Sequence, residues 1–156
     1  MDERKWIERI LAGDTQSFSC LVAKYEKMAY TIALRILENR EEAEEAVQDA
    51  FVKMYRALSD FHFDSKFSTW FYRIVYRTAL TALRQQRMFV SYEEAGPVDL
   101  SNDEVESATA LLEREDRKEM IARTLKKLPA DEALLLTLYY LEECSVEEIC
   151  QITELS

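Results

Sequence analysis

Basic and aromatic side chains are concentrated between Phe61 and Arg87, in a chain that is otherwise strongly acidic. The 156 residues carry a formal net charge of -10, whereas this segment has five basic side chains and a single carboxylate, Asp64. Cations bind phosphate groups, and exposed aromatic rings stack on unpaired bases. The local reversal of charge therefore predicts a nucleic-acid site.

The arginines of this segment follow helical spacing. Four of them fall within roughly 40° of one line along an ideal helix, which turns about 100° per residue: Arg73, Arg77, Arg84 and Arg87. Such a stripe can follow a phosphate backbone, and its arginines, together with Thr81, can reach base edges. A solvated basic face is the competing interpretation, and for an arbitrary helix it is the more common one.

An aromatic loop directly precedes this helix. Its candidate binding residues are Phe61, Phe63, Asp64, Ser65 and Lys66. The rings can stack on unpaired bases while the lysine holds the adjacent phosphate. Packing of the rings into a helix junction is the alternative. We expect packing for Phe67 and Trp70, and both interpretations stay open for Phe61 and Phe63.

A second group of charged residues is acidic. Six carboxylates face only Arg40 between Glu38 and Ala50. One helical face, opposite the alanine-rich side, carries Glu45, Gln48, Asp49 and Val52. This face is suited to docking a basic or polar partner helix. Because most charge runs are simply solvated, this segment alone favours a solvated face.

Nothing in the sequence predicts catalysis, a metal site or a cofactor. His62 is the single histidine, and neither a glycine-rich phosphate loop nor a nucleophile motif is present. Cys144 and Cys150 lack a credible zinc spacing with His62, and we expect them to be core cysteines.

The chain has the features of a cytoplasmic protein. Its three cysteines lie in apolar patterns, which is typical of a reducing compartment. Met1 is followed by charged residues, unlike a signal peptide. The longest apolar stretch, from Ala133 to Leu141, is far too short to span a membrane, so we expect no membrane insertion.

Helical periodicity, with only 2 Gly and 2 Pro, predicts an all-α fold. The expected helices are 2–12, 14–37, 41–58, 68–87, 108–127, 130–141 and 146–152. Gly13 ends the first helix, and Ser68 or Thr69 caps the fourth. Ser145 and Glu148 form a capping box at the start of the last helix.

An acidic segment separates two groups of helices. Residues 90–107 contain no Lys or Arg and are interrupted by Gly96-Pro97. This composition predicts a flexible linker between two domains, 1–89 and 108–156. The second domain has the pattern of a partial helix-turn-helix.

Three stretches resemble the second region of bacterial RNA polymerase sigma factors of the extracytoplasmic-function (ECF) class. They are Asp14 to Phe18, the run AEEAVQDAFVKMYRAL from Ala43 to Leu58, and the aromatic loop with its basic helix. The tail LKKLPADEALLLTLYYLEECSVEEICQITELS resembles the start of the fourth region. The resemblance covers nearly the whole chain, in order, with the linker in the expected place.

The resemblance implies a non-catalytic sigma factor that binds core RNA polymerase and directs promoter recognition, melting of the -10 element and transcription initiation. It implies docking on the clamp helices of the largest subunit by Glu45, Gln48, Asp49 and Val52. It implies capture of a flipped -10 base by Phe61, Phe63, Asp64, Ser65 and Lys66. It implies further -10 contacts by Arg73, Arg77, Thr81 and Arg84. An anti-sigma protein is an expected partner.

Two departures from the family pattern limit these expectations. Many members carry Asn where this chain has Arg77 and Thr81, so their base preference cannot be transferred. The fourth region normally continues into a basic recognition helix that reads the -35 element. The sequence stops at Ser156, where that helix should start, so we expect polymerase binding with poor reading of -35.

Two other functions remain as alternatives. A helical protein-interaction module would account for the acidic faces, although it needs neither a basic stripe nor an aromatic loop. A helix-turn-helix repressor would require a complete recognition helix and a dimer face, and the sequence shows neither.

Overall fold

The computed structural model describes residues 2–90 and 113–155. Within these ranges all regular structure is helical, which confirms the all-α prediction. The α-helices are α1 (Glu3–Leu11), α2 (Thr15–Leu37), α3 (Arg40–Ala57), α4 (Phe67–Val90), α5 (Glu113–Lys126), α6 (Ala130–Tyr140) and α7 (Val146–Thr153), and one 3-10 turn (Leu58–Asp60) follows α3. In these ranges no helix is both long and apolar enough to cross a bilayer.

Local capping chemistry sets most of the helix starts. The side chains of Asp2, Asp14 and Asn39 accept hydrogen bonds from the first turns of α1, α2 and α3. The predicted capping box of α7 is confirmed, since Ser145 and Glu148 each bond the other's backbone N–H.

The predicted cap of the fourth helix is wrong. The Trp70 amide donates to the carbonyl of Lys66 at 3.2 Å, so the helix is already established before Ser68 and Thr69. Packing explains the earlier start, because the Phe67 ring is buried 5.4 Å from the ring of Tyr25. Tertiary burial therefore decides the boundary here, rather than a side-chain cap.

Helices α2, α3 and α4 pack against one another, and α1 lies against α2. Small residues such as Ala43 and Ala50 are fully buried and let the helices approach closely. The Phe71 ring, also fully buried, lies 4.8 Å from the ring of Phe51. Truncating a buried Phe of this kind costs about 3–5 kcal/mol. The core therefore holds α4 in a fixed rotation and fixes which residues it exposes.

Helices α6 and α7 pack on this bundle, α6 against α2 and α7 against α4. Leu134, Leu138, Ile149 and Ile152 are buried and belong to the same apolar cluster as the core of α2 to α4. The predicted linker, apart from Val90 at the end of α4, lies outside the described residues.

Candidate nucleic-acid interface

The arginine stripe lies on the solvent side of α4. We define the basic face as Arg73, Arg77, Thr81 and Arg84, all of which are exposed. Phe71, Val75 and Ala79 are fully buried and orient the helix. The hydroxyl of Thr81 donates to the carbonyl of Arg77 at 2.9 Å, so its oxygen is left to accept a hydrogen bond from a ligand.

The aromatic loop, residues 61–66, joins the 3-10 turn to α4. Phe61 is only 7% exposed, and its ring lies 4.9 Å from that of Trp70. Phe63 is 41% exposed and its ring lies 4.7 Å from Phe61. The structure thus places Phe61 as a buried support and Phe63 as the ring available to solvent. Phe67, predicted to pack, is buried, which confirms that prediction.

Phe63 has an unusual backbone conformation. Its φ of 60° lies in the left-handed region, which a bulky residue rarely adopts. Such strain costs on the order of 1–3 kcal/mol and is found mainly at functional sites. The guanidinium carbon of Arg4 lies 4.9 Å from the ring centroid, a cation–π contact that helps to hold the ring. Sequence reasoning missed Arg4, because α1 is distant from the loop in sequence.

An open cleft of about 500 Å³ lies between the loop and α1, α2 and α4. Phe63, Ser65 and Lys66 line one side, and Tyr72 lies among the other lining residues. Asp64 and Lys66 are exposed, whereas Ser65 is half-buried and donates to the carbonyl of Lys66 at 3.3 Å. Phe63 and Lys66 thus bring an aromatic ring and a cation to one cleft, groups that can contact a base and its phosphate.

The acidic face of α3 is exposed in full. We use this name for Glu45, Gln48, Asp49 and Val52, and the last is 48% exposed despite being apolar. Tyr55, one turn further along, is 47% exposed and extends the same face. The sequence signal for Tyr55 was its position three residues after Val52.

Carboxylates from the C-terminal helices contact the basic face and the loop. Glu154, at the end of α7, accepts from Arg73 at 3.0 Å and also from Arg77. Glu148 lies 2.8 Å from the ammonium of Lys66. Hydrogen bonds from Arg77 and Arg73 lower the pKa of Glu154, and the Glu148 carboxylate raises the pKa of Lys66.

A further carboxylate reaches the cleft from the segment between α6 and α7. The Tyr72 hydroxyl donates to Glu142 at 2.9 Å. Burial, followed by the negative charge of Glu142, raises the pKa of Tyr72, so the phenol stays protonated and donates. None of these carboxylates was singled out as a site residue from the sequence, because they lie 70 or more positions from their partners.

In the described part of the chain, no group of three or more His, Cys, Asp or Glu side chains could hold a metal ion. Cys20 is exposed, while Cys144 and Cys150 are half-buried rather than fully buried in the core.

Two family models match the chain. Sigma-70 region 2 matches residues 21–88, and Sigma-70, region 4 matches residues 118–156. The first range contains the acidic face, the aromatic loop and the basic face, and the second contains α6 and α7.

Two proteins that are similar to this chain over most of its length are sigma factors by name. The chain is 32% identical over 159 residues to the RNA polymerase sigma-H factor of Pseudomonas aeruginosa, covering 97% of this chain and 82% of that protein. It is 31% identical over 155 residues to the ECF RNA polymerase sigma-E factor of Escherichia coli K12, covering 95% and 81%.

Two solved structures are similar to this one. An engineered region 2 of sigmaE, determined by NMR in complex with GTAAAA, has 34% identity and a TM-score of 0.54, covering 58% of this chain and 94% of that chain. CnrH, solved with the cytosolic domain of CnrY, has a TM-score of 0.63 and covers 99% of this chain and 84% of that chain. Its 21% identity makes this a likeness of fold alone.

Proposed function

The chain belongs to the ECF class of RNA polymerase sigma factors, which bind core RNA polymerase and recognise promoters, and we propose how its surfaces divide that work. The basic face and the aromatic loop bind the -10 element as a single strand. The acidic face docks on the polymerase. The protein works by binding alone, with no catalytic residue or cofactor of its own.

One observation carries the proposal for the -10 element. The fold exposes Phe63 and Lys66 in one loop and then Arg73 and Arg77 on the helix that follows directly. A single strand presents bases and phosphates in alternation. A protein that binds it therefore needs aromatic rings for the bases and cations for the phosphates. The related region 2 in complex with GTAAAA supports a strand as the ligand.

Each loop residue has a part in holding an unpaired base. Phe63 stacks on a base that has left the duplex, and the buried ring of Phe61 packs against the Phe63 ring. Lys66 neutralises the neighbouring phosphate. Ser65 offers a hydroxyl inside the cleft, and Asp64 offers an exposed carboxylate as a hydrogen-bond acceptor. Because these contacts exist only once the base is unpaired, they favour the open promoter over the closed one.

Arg73, Arg77, Thr81 and Arg84 bind the rest of the element. Arginine can hold a phosphate or donate two hydrogen bonds to a base edge, whereas Thr81 offers an acceptor. This combination differs from the Asn found in many members, so we propose a base preference specific to this chain.

The acidic face docks on the clamp helices of the largest polymerase subunit. Glu45 and Asp49 supply charge, Gln48 a hydrogen-bonding amide, and Val52 an apolar contact. Charged rims steer association, while apolar contacts add stability. Exposure of Val52 and Tyr55 beside these carboxylates supports a protein partner rather than a merely solvated face.

We further propose that residues 1–89 and 108–156 are two domains joined by the 90–107 linker. The protein acts in the cytoplasm, where core polymerase is, and an anti-sigma protein holds it inactive.

The test is promoter opening in a reconstituted holoenzyme. Phe63→Ala combined with Lys66→Ala should reduce permanganate reactivity of -10 thymines more than it reduces polymerase binding. His62→Ala, in the same loop, is the matched control. Unchanged reactivity in the double variant would refute the assignment of the loop.

A further inference from the structure

We propose that Arg4, in the first turn of α1, is a positioning residue for base capture by the aromatic loop. This inference rests on the proposed role of Phe63 in stacking on an unpaired base. The guanidinium carbon of Arg4 lies 4.9 Å from the centroid of the Phe63 ring. Both residues line the open cleft between the loop and α1. Helix α1 thereby becomes part of the base-binding site.

The packing of α1 fixes the place from which Arg4 reaches the loop. Ile7 and Ile10 are buried, and α1 lies against α2 and the 3-10 turn. The carboxylate of Glu3 accepts a hydrogen bond from the Tyr25 hydroxyl on α2. Arg4 therefore approaches the Phe63 ring from a helix that is anchored independently of the loop.

The strained conformation of Phe63 gives this contact a purpose. Its φ of 60° is unfavourable for a bulky residue, and such a residue persists only where its surroundings hold it. The Phe61 ring, 4.7 Å away, supports it from within the same loop, and Arg4 adds a contact from a separate helix. A ring that is held in place before the base arrives loses less freedom on binding, which raises the affinity.

The other contact of the Arg4 side chain is weak. Its Nε donates to Glu8 Oε1 at 3.3 Å, one turn further along α1, and the two side chains are 65% and 62% exposed. Exposed pairs of this kind add little stability. Removal of the guanidinium should therefore leave the fold intact and act mainly on the Phe63 ring.

The contact is tested first in the free full-length chain. With a fluorinated phenylalanine incorporated at position 63, Arg4→Gln should shift the fluorine NMR resonance, because it removes the charge over the ring. Lys5→Gln removes an equal charge from an exposed neighbouring position outside the cleft lining and should leave the resonance in place. The same resonance in Arg4→Gln as in Lys5→Gln overturns the inference.

The second arm measures binding of a labelled single-stranded oligonucleotide containing GTAAAA to the reconstituted holoenzyme. Arg4→Gln should weaken binding about twofold to fivefold relative to Lys5→Gln, the range expected for an exposed cation–π pair. Equal affinities of these two variants for the intact strand overturn the inference.

Abasic substitution of the strand shows whether Arg4 acts through the ring. Each base in turn is replaced by an abasic sugar, and the captured base is the one whose removal abolishes the difference between Phe63→Ala and the wild type. The loss caused by Arg4→Gln should vanish at the same position, because the two residues are coupled. A loss that persists there shows an effect of charge alone and overturns the inference.

Phe63→Ala separates this inference from the proposed function. If that variant binds the intact strand as tightly as the wild type, the proposed function of the loop fails and the inference with it. If Phe63→Ala weakens binding and Arg4→Gln does not, the function stands and only the role of Arg4 is lost.

Discussion

The guanidinium Nη2 of Arg73 donates to Glu154 Oε1 across 3.0 Å and joins residues 81 positions apart. Arg73 belongs to the helix that we assign to promoter DNA, whereas Glu154 ends the last helix of the fourth region. The contact therefore joins the end of α7 to the helix that we assign to promoter DNA.

Charge reversal on the acidic face should weaken polymerase binding. Glu45→Lys with Asp49→Lys leaves the fold intact because both side chains are exposed, and we expect affinity for core polymerase to fall about tenfold or more, as for close charge pairs at interfaces. Glu26→Lys with Glu132→Lys makes the same change in net charge at exposed positions on α2 and α6. Titration of labelled core polymerase checks this, and equal affinity for both double variants would remove the docking assignment.

The left-handed conformation of Phe63 predicts an order of stabilities. Phe63→Gly and Phe63→Ala both delete the ring, but only glycine adopts a φ of 60° without a steric penalty. The free energy of unfolding should therefore be about 1 kcal/mol higher for the glycine variant. Urea denaturation of both proteins measures the difference. A more stable alanine variant would show that residue 63 does not hold this conformation.

Ionisation of Glu154 predicts that the stability of the folded chain depends on pH. Hydrogen bonds from Arg77 and Arg73 hold its pKa below the ordinary value of 4.5 in the folded chain. Its stabilising contribution is therefore complete above about pH 4.5 and is lost as the pH falls through the lowered pKa. Tyr76 also faces Glu154, but burial raises its pKa, so it stays neutral throughout.

The measurement is the melting temperature of the wild type and of Glu154→Gln at several pH values. The difference between them should be constant from about pH 5 to 8 and should shrink toward pH 3. A difference independent of pH down to that point would show that the carboxylate is not held by these arginines.

Local chemistry made much of the fold predictable. Helical periodicity identified the buried side of α4 and hence the exposure of Arg73 and Arg77. Capping residues such as Asp14 and Ser145 located helix starts correctly, because a side-chain cap acts within three residues. The start of α4 was missed because it depends on the burial of Phe67, which only the tertiary structure reveals.

The contacts between the two regions could not be predicted from local sequence patterns. Nothing in the residues around Glu154 indicates a partner 77 or 81 positions away. The conformation of Phe63 was equally unpredictable, since its residue type disfavours a positive φ. Both features come from packing between distant segments.

The central claim is that the basic face binds the -10 strand, and binding of a labelled GTAAAA oligonucleotide to the reconstituted holoenzyme tests it most directly. Arg73→Ala with Arg77→Ala should lower affinity about tenfold or more. The slope of log K against log salt should become shallower by about 0.7 for each phosphate that the variant no longer neutralises. Lys5→Ala with Lys27→Ala removes two exposed charges from α1 and α2 and should change neither quantity. Wild-type affinity and salt slope in the Arg73/Arg77 variant would contradict the account.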